Sequence, residues 1–195
     1  MSKLEQLLYQ VRQCDICENH LEHGCNPVIQ ASPSAKLLII GQAPGLKVHQ
    51  TSIPWNDPSG DRLREWLQLD KAQFYDEKQI AIMPMGLCYP GKGKSGDLPP
   101  RKECAPTWHS AVLEQLPNVG MTLLIGQYAQ NYYLGDKPKT LTETVQGWHR
   151  WAPHYLPLPH PSPRNTLWLK RNPWFEGEVV PYIRQQYVHR HLKNK

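Results

Sequence analysis

Five cysteines stand in this chain, and four of them fall into two pairs: Cys14-Asp-Ile-Cys17 near the start, and Cys88 with Cys104 in a C-x15-C spacing. Thiolates bind metals, and four from two distant segments match the ligand count of a 4Fe-4S cluster or of a structural zinc. Cys25 is then a bystander. The odd count, in a chain whose first residues lack a signal peptide's apolar stretch, favours metal or redox use over a disulfide framework. A different chemistry is offered by Leu158-Pro159-His160-Pro161-Ser162-Pro163-Arg164-Asn165. Two prolines hold His160 rigidly beside the Ser162 hydroxyl and the Arg164 guanidinium, a group shaped for phosphate. Ile40-Gly41-Gln42-Ala43-Pro44-Gly45 makes a sharp turn where a ligand can come close to the backbone. Gly86 to Lys92 matches G-x-x-x-x-G-K, but Gly93 stands where a triphosphate-binding loop needs a hydroxyl for magnesium. That leaves Lys92 and Lys94 as contacts to a phosphate backbone or as part of a solvated loop.

These residues act together only if the fold converges them, and the hydrophobic pattern indicates how. Lys36 to Gly41, Ile80 to Met83, Met121 to Ile125 and residues 155 to 158 are short apolar runs that read as buried strands. Helical spacing marks residues 2 to 13 behind a Ser2 cap. It also marks Asp61 to Leu69 behind Ser59 or Asp61, a helix bearing Trp108, Val112 and Leu116, another at Tyr128 to Leu134, and a last one from Trp174 to about His191, with Pro181 inside it. Alternating strands and helices predict a single three-layer α/β/α domain over residues 1–195, with a central, mostly parallel four-stranded sheet. Ligands of such folds bind at the carboxyl ends of the strands, where the loops at Gly41, Pro84, Gly126 and Pro159 all begin.

The composition sets the outer limits. At 195 residues with 39% hydrophobic and 20% charged residues, the chain is globular and neither disordered nor collagenous, and it has no apolar run long enough to cross a membrane. It is expected in the cytoplasm. Its 19 prolines imply stiffened loops, and a net charge of +5 with seven tryptophans is compatible with nucleic acid without requiring it.

Taken together, these segments resemble the uracil-DNA glycosylase superfamily over nearly the whole chain, most closely its iron-sulfur branch, family four. The cluster motif of that branch maps onto Cys14, Cys17, Cys88 and Cys104. Its G-E-A-P-G motif maps onto Gly41 to Gly45, its base-stacking aromatic onto Trp55, and its final H-P-S motif onto His160 to Ser162. The form HPSPRN is similar to the single-strand-selective monofunctional uracil glycosylases. The resemblance implies a monomeric DNA-repair enzyme that flips out uracil or another deaminated base and hydrolyses the N-glycosidic bond, leaving an abasic site. His160 would stabilise charge on the departing base. Trp55 would stack on that base, with Gly41, Ala43 and Asn56 around it. Pro161, Ser162, Arg164, Lys92 and Lys94 would grip the flanking DNA.

Two departures qualify the match. Gln42 replaces the family's Glu and cannot act as a base, so it can only orient water; Asp57 or Asp61 could substitute, although an Asp at a helix start is more often a cap. The family's pyrimidine-reading Asn is absent between Met83 and Cys88, which leaves the base open among uracil, hypoxanthine and xanthine. A catalytically weak damaged-DNA-binding module and a zinc-stapled nucleic-acid-binding domain are the alternatives.

Overall fold

The computed structural model describes residues 1–192. Four strands, β1 (Leu37–Ile40), β2 (Ile80–Ile82), β5 (Met121–Ile125) and β6 (Tyr155–Leu158), form one sheet in the order β2-β1-β5-β6, every pair parallel. Because successive strand residues point to opposite faces, β1 feeds two cores. Leu37 and Ile39 join Leu63, Trp66, Phe74, Phe175 and Val179 on one side, while Leu38 and Ile40 join Leu4, Leu8, Val11, Val112 and Leu116 on the other. Covered on both faces, these strands are continuous apolar runs, as the sequence pattern requires of a buried parallel sheet.

The helices follow their caps. In α1 (Lys3–Arg12) Ser2 accepts from the Glu5 backbone and Glu5 returns a bond to the Ser2 N–H, a capping box. Helix α3 (Pro58–Leu67) starts three residues before the expected Asp61, because Asp57 is its cap and Pro58 suits the first turn. The stretch from Gly41 to Gly60, read as loop, contains α2 (Leu46–Thr51). A four-residue helix α4 (Lys71–Phe74) precedes β2, and α5 (Ser110–Leu113) continues a wide helical turn over Ala105–His109. Helix α6 (Gln127–Tyr133) follows β5, while α7 (Leu141–Gln146) and α8 (Thr166–Arg171) carry no clear periodic signal. The final helical stretch spans residues 175–192. Pro181 is accommodated in the first turn of α9 (Val180–Ile183), just after a wide turn over Phe175–Val179.

Lys92 and Gly93 form β3, paired antiparallel with β4 (Gly96–Asp97) in a small separate hairpin. A phosphate-binding loop would lead into a helix, so this segment is not one. No helix of the described residues is long and apolar enough to cross a membrane.

Candidate functional site

At the carboxyl ends of the strands lies a cavity of about 470 Å³, walled by the Gly41–Gly45 turn, Pro84 after β2, the β3–β4 hairpin and the loop after β6. It has the size of a small-molecule site. The wall after β2 is fixed to the Gly41 turn by backbone bonds: the Met85 N–H donates to the Gly41 carbonyl and the Gly86 N–H to that of Gln42, both at 2.9 Å. His109 anchors the same wall from below. Its Nε2 lies 3.1 Å from the Pro84 carbonyl, which can only accept, so Nε2 carries the proton and Nδ1 accepts from the Tyr133 hydroxyl at 2.6 Å.

Burial pushes the His109 pKa from 6.5 down to about 4. The folded protein therefore resists protonation that the unfolded chain accepts. The stability this contributes is complete above pH 6.5 and is lost as pH falls toward 4, amounting to about 3 kcal/mol. Urea unfolding across that interval should show this loss, and His109→Gln, which does not titrate, should flatten it.

Trp55 enters the cavity from a strained backbone. Its φ is +57°, rare for a large side chain. The conformation is held by Arg64, which donates to the Trp55 carbonyl at 3.2 Å, and by Tyr75, which donates to the Pro54 carbonyl at 2.9 Å. Two glycines make room. A Cβ on Gly60 would lie 1.7 Å from the Trp55 carbonyl oxygen, and one on Gly41 would lie 2.7 Å from the Trp55 ring. The indole comes within 5.7 Å of the His160 ring, centroid to centroid.

His160 is oriented by its own loop. The Ser162 N–H donates to Nδ1 at 3.2 Å, so the proton of the neutral ring sits on Nε2. Asn165 donates to the His160 carbonyl at 2.8 Å, and Arg62 donates to the Ser162 carbonyl at 2.9 Å. Burial lowers the His160 pKa, with the Asp57 charge pulling weakly the other way, so the imidazole is neutral at pH 7. Arg164 ties the loop to the hairpin by donating to the Ser95 carbonyl at 3.1 Å. Pro161 is buried beneath it.

Gly41, Gln42, Ala43, Trp55, His160, Ser162 and Arg164 therefore meet in one place, at the carboxyl ends of the strands where the sequence pattern puts a ligand site. Asp57 joins them. Its Oδ1 accepts from the Gly60 N–H at 2.8 Å, capping α3, while the side chain lines the cavity. Asp57 is thus both the cap of α3 and a cavity residue, so of the two carboxylates that could substitute for the family's Glu it is the one at the site. Asp61 lies outside the cavity, paired with Arg64 at 2.7 Å.

One expected base neighbour lies outside the cavity, and the two lysines expected on the DNA backbone stand on the hairpin beside it. Asn56 bonds to Thr51 Oγ1 at 3.3 Å and is not among the cavity residues, because the left-handed turn at Trp55 carries the following side chain toward α2. Lys92 and Lys94 are exposed on the hairpin and do not line the cavity, whose hairpin side is formed by Ser95, Gly96, Asp97 and Leu98.

The cysteines converge elsewhere. Cys14, Cys17, Cys88 and Cys104 line a second, much smaller cavity, and Cys25 lines it with them rather than standing apart. Arg101 stands at its edge, paired with Glu103. Burial, reinforced by the neighbouring thiols, pushes Cys88 up to about 12 and Cys104 to about 11. Among the described residues, no three His, Cys, Asp or Glu side chains are placed to hold a metal ion. The five thiols share one cavity.

A family model described as Uracil DNA glycosylase superfamily matches residues 29–184. The match takes in every residue lining the cavity at the strand ends except Val28, together with Cys88 and Cys104, and begins after Cys14, Cys17 and Cys25.

Proposed function

The chain belongs to the uracil DNA glycosylase superfamily, and from that premise we propose that it is a monofunctional DNA glycosylase, extruding a deaminated base into the cavity at the strand ends and hydrolysing its N-glycosidic bond. The observation that carries this reading is the side-by-side placement of Trp55 and the neutral, Nε2-protonated His160 in one cavity with a carboxylate, Asp57.

Each group answers a need of the reaction. An extruded base loses its stacking partners, and the Trp55 face replaces them. Cleavage of the bond from C1′ leaves negative charge on the base oxygens and an oxocarbenium-like sugar. His160 Nε2–H donates to the charged oxygen, and a fixed donor in a partly dry site stabilises that charge far more than water would. Asp57, with one oxygen held by the Gly60 N–H, has the other to orient water and take its proton as the water attacks C1′; its charge also favours the cationic sugar. Gln42 can hold the same water but cannot accept its proton. Ser162 and Arg164 contact the flanking phosphates. The products are the free base and an abasic deoxyribose.

The experiment is incubation with single- and double-stranded oligonucleotides carrying uracil, hypoxanthine or xanthine, followed by alkaline cleavage at abasic sites. Cleavage with at least one base is expected. A second reading, a damage-binding module without catalysis, draws on Gln42 in place of the family's Glu; binding without any cleavage would favour it.

We further propose that Cys14, Cys17, Cys88 and Cys104 hold a 4Fe-4S cluster, with structural zinc as the alternative; the reading rests on their shared lining of the smaller cavity, where Cys25 stands as a fifth thiol. When bound, the cluster would supply a crosslink and no chemistry at the glycosidic bond. Its ligands would join the end of α1 to the loop after β2 and to the start of the helix at Ala105–His109. A positive metal group would also stabilise thiolates that burial alone disfavours. Iron and inorganic sulfide in equal amounts are expected after anaerobic purification, and their removal should lower the melting temperature and expose the first twenty or so residues to protease. Stoichiometric zinc without sulfide would select the alternative.

A further inference from the structure

Beside the base cavity lies a second hollow of about 680 Å³. The two share a partition: Leu98 of the hairpin lines both, and the loop after β2 places Pro84 in one and Met85 in the other. The hollow is walled by Pro99 and Pro100, and Tyr132, 49% exposed, stands at its edge. His20, Arg101 and Lys102 complete the lining, and no carboxylate is among the residues that form it. Arg101 is partly engaged by Glu103, whereas Lys102 is exposed.

We propose that this groove holds a single-stranded stretch of DNA next to the extruded nucleotide, with a base stacked on Tyr132 and phosphates on Lys102 and Arg101. The inference rests on the glycosylase reading of the neighbouring cavity and adds a strand preference to it. Three observations support a nucleic-acid occupant over a protein segment: the groove adjoins the base cavity across Leu98, its charged groups are all basic, and an exposed aromatic stands among them. That combination of aromatic platform and cationic track binds unpaired bases of any sequence. A duplex keeps its base faces covered and cannot use Tyr132. The two prolines fix the wall in advance, which reduces the ordering cost of binding.

The test is fluorescence anisotropy with fluorescein-labelled oligothymidylates of about three and about twelve nucleotides, and with a duplex of the longer length. The wild-type protein is expected to bind the long single strand more tightly than either other probe. Tyr132→Ala and Lys102→Ala should each weaken that binding about tenfold, leaving the short probe and the melting temperature unchanged. Tyr132→Phe should restore it. Lys102→Ala should also reduce the slope of log K against log salt by about 0.7. Unchanged binding of the long strand in both alanine variants, as expected if the groove takes a protein segment, would overturn the proposal; so would equal affinity for the duplex. Thymidylate carries no deaminated base, so this readout is independent of excision. Failure of excision with groove binding intact would count against the glycosylase reading alone.

Discussion

Asp57→Asn is expected to lower kcat about 100-fold or more while leaving the fold intact. The two oxygens of this carboxylate have separate tasks. Oδ1 accepts from the Gly60 N–H at 2.8 Å and caps α3, a task Asn performs about as well as Asp. The substitution therefore preserves the helix start, and with it the strained Trp55 turn that Gly60 accommodates. What it removes is the negative charge facing the cavity. If that charge takes the proton of the attacking water and favours the cationic sugar, the loss falls on kcat and leaves KM nearly unchanged. Asp57→Ala would be a poorer test, since it also costs about 1 kcal/mol of cap. Single-turnover kinetics beside thermal melts separate the two effects. Wild-type kcat in Asp57→Asn would leave the residue as a cap alone.

His160→Ala should reduce turnover by about 100-fold or more, with DNA binding nearly intact, because the donor it removes acts on charge that exists only as the bond breaks. The sign of the pH dependence follows from the state of the ring. Burial holds the His160 pKa below its ordinary 6.5, so the working form is the neutral imidazole, with Nδ1 accepting from the Ser162 N–H and Nε2 donating. Raising the pH above 6.5 leaves the neutral ring as it is, and the rate should not fall as pH rises. A loss of activity centred near 6.5 as pH rises would mean that a cationic imidazole is the working form instead. Turnover unchanged in His160→Ala would remove the residue from the reaction.

Much of this architecture was legible because it rests on local pattern. Residues 37–40 are apolar without a break, so a strand buried on both faces was the direct reading, and the prolines around His160 announced a rigid loop at a strand end. The all-parallel sheet followed from the alternation of elements. What escaped depends on contacts between residues that sequence spacing does not relate. Trp55 adopts a left-handed backbone because Gly60 lacks a Cβ and Arg64 holds the Trp55 carbonyl. That single turn decides that Asp57 lines the cavity and Asn56 bonds toward α2. Cys25 looked spare because no pair spacing includes it, yet the loop between α1 and β1 returns it to the other thiols. The hairpin at Lys92 to Asp97 was hidden by glycines that match a phosphate-loop pattern without its following helix.

The central claim is that the cavity holding Trp55, Asp57 and His160 breaks a glycosidic bond. The most direct measurement follows the products of one reaction: a uracil-bearing single-stranded oligonucleotide is incubated with excess wild-type protein, and free base and abasic strand are quantified together by mass spectrometry. The two are expected in equal amounts and at the same rate, with both suppressed about 100-fold in Asp57→Asn and in His160→Ala. An intact oligonucleotide with wild-type protein, for uracil and for hypoxanthine and xanthine in its place, would contradict it.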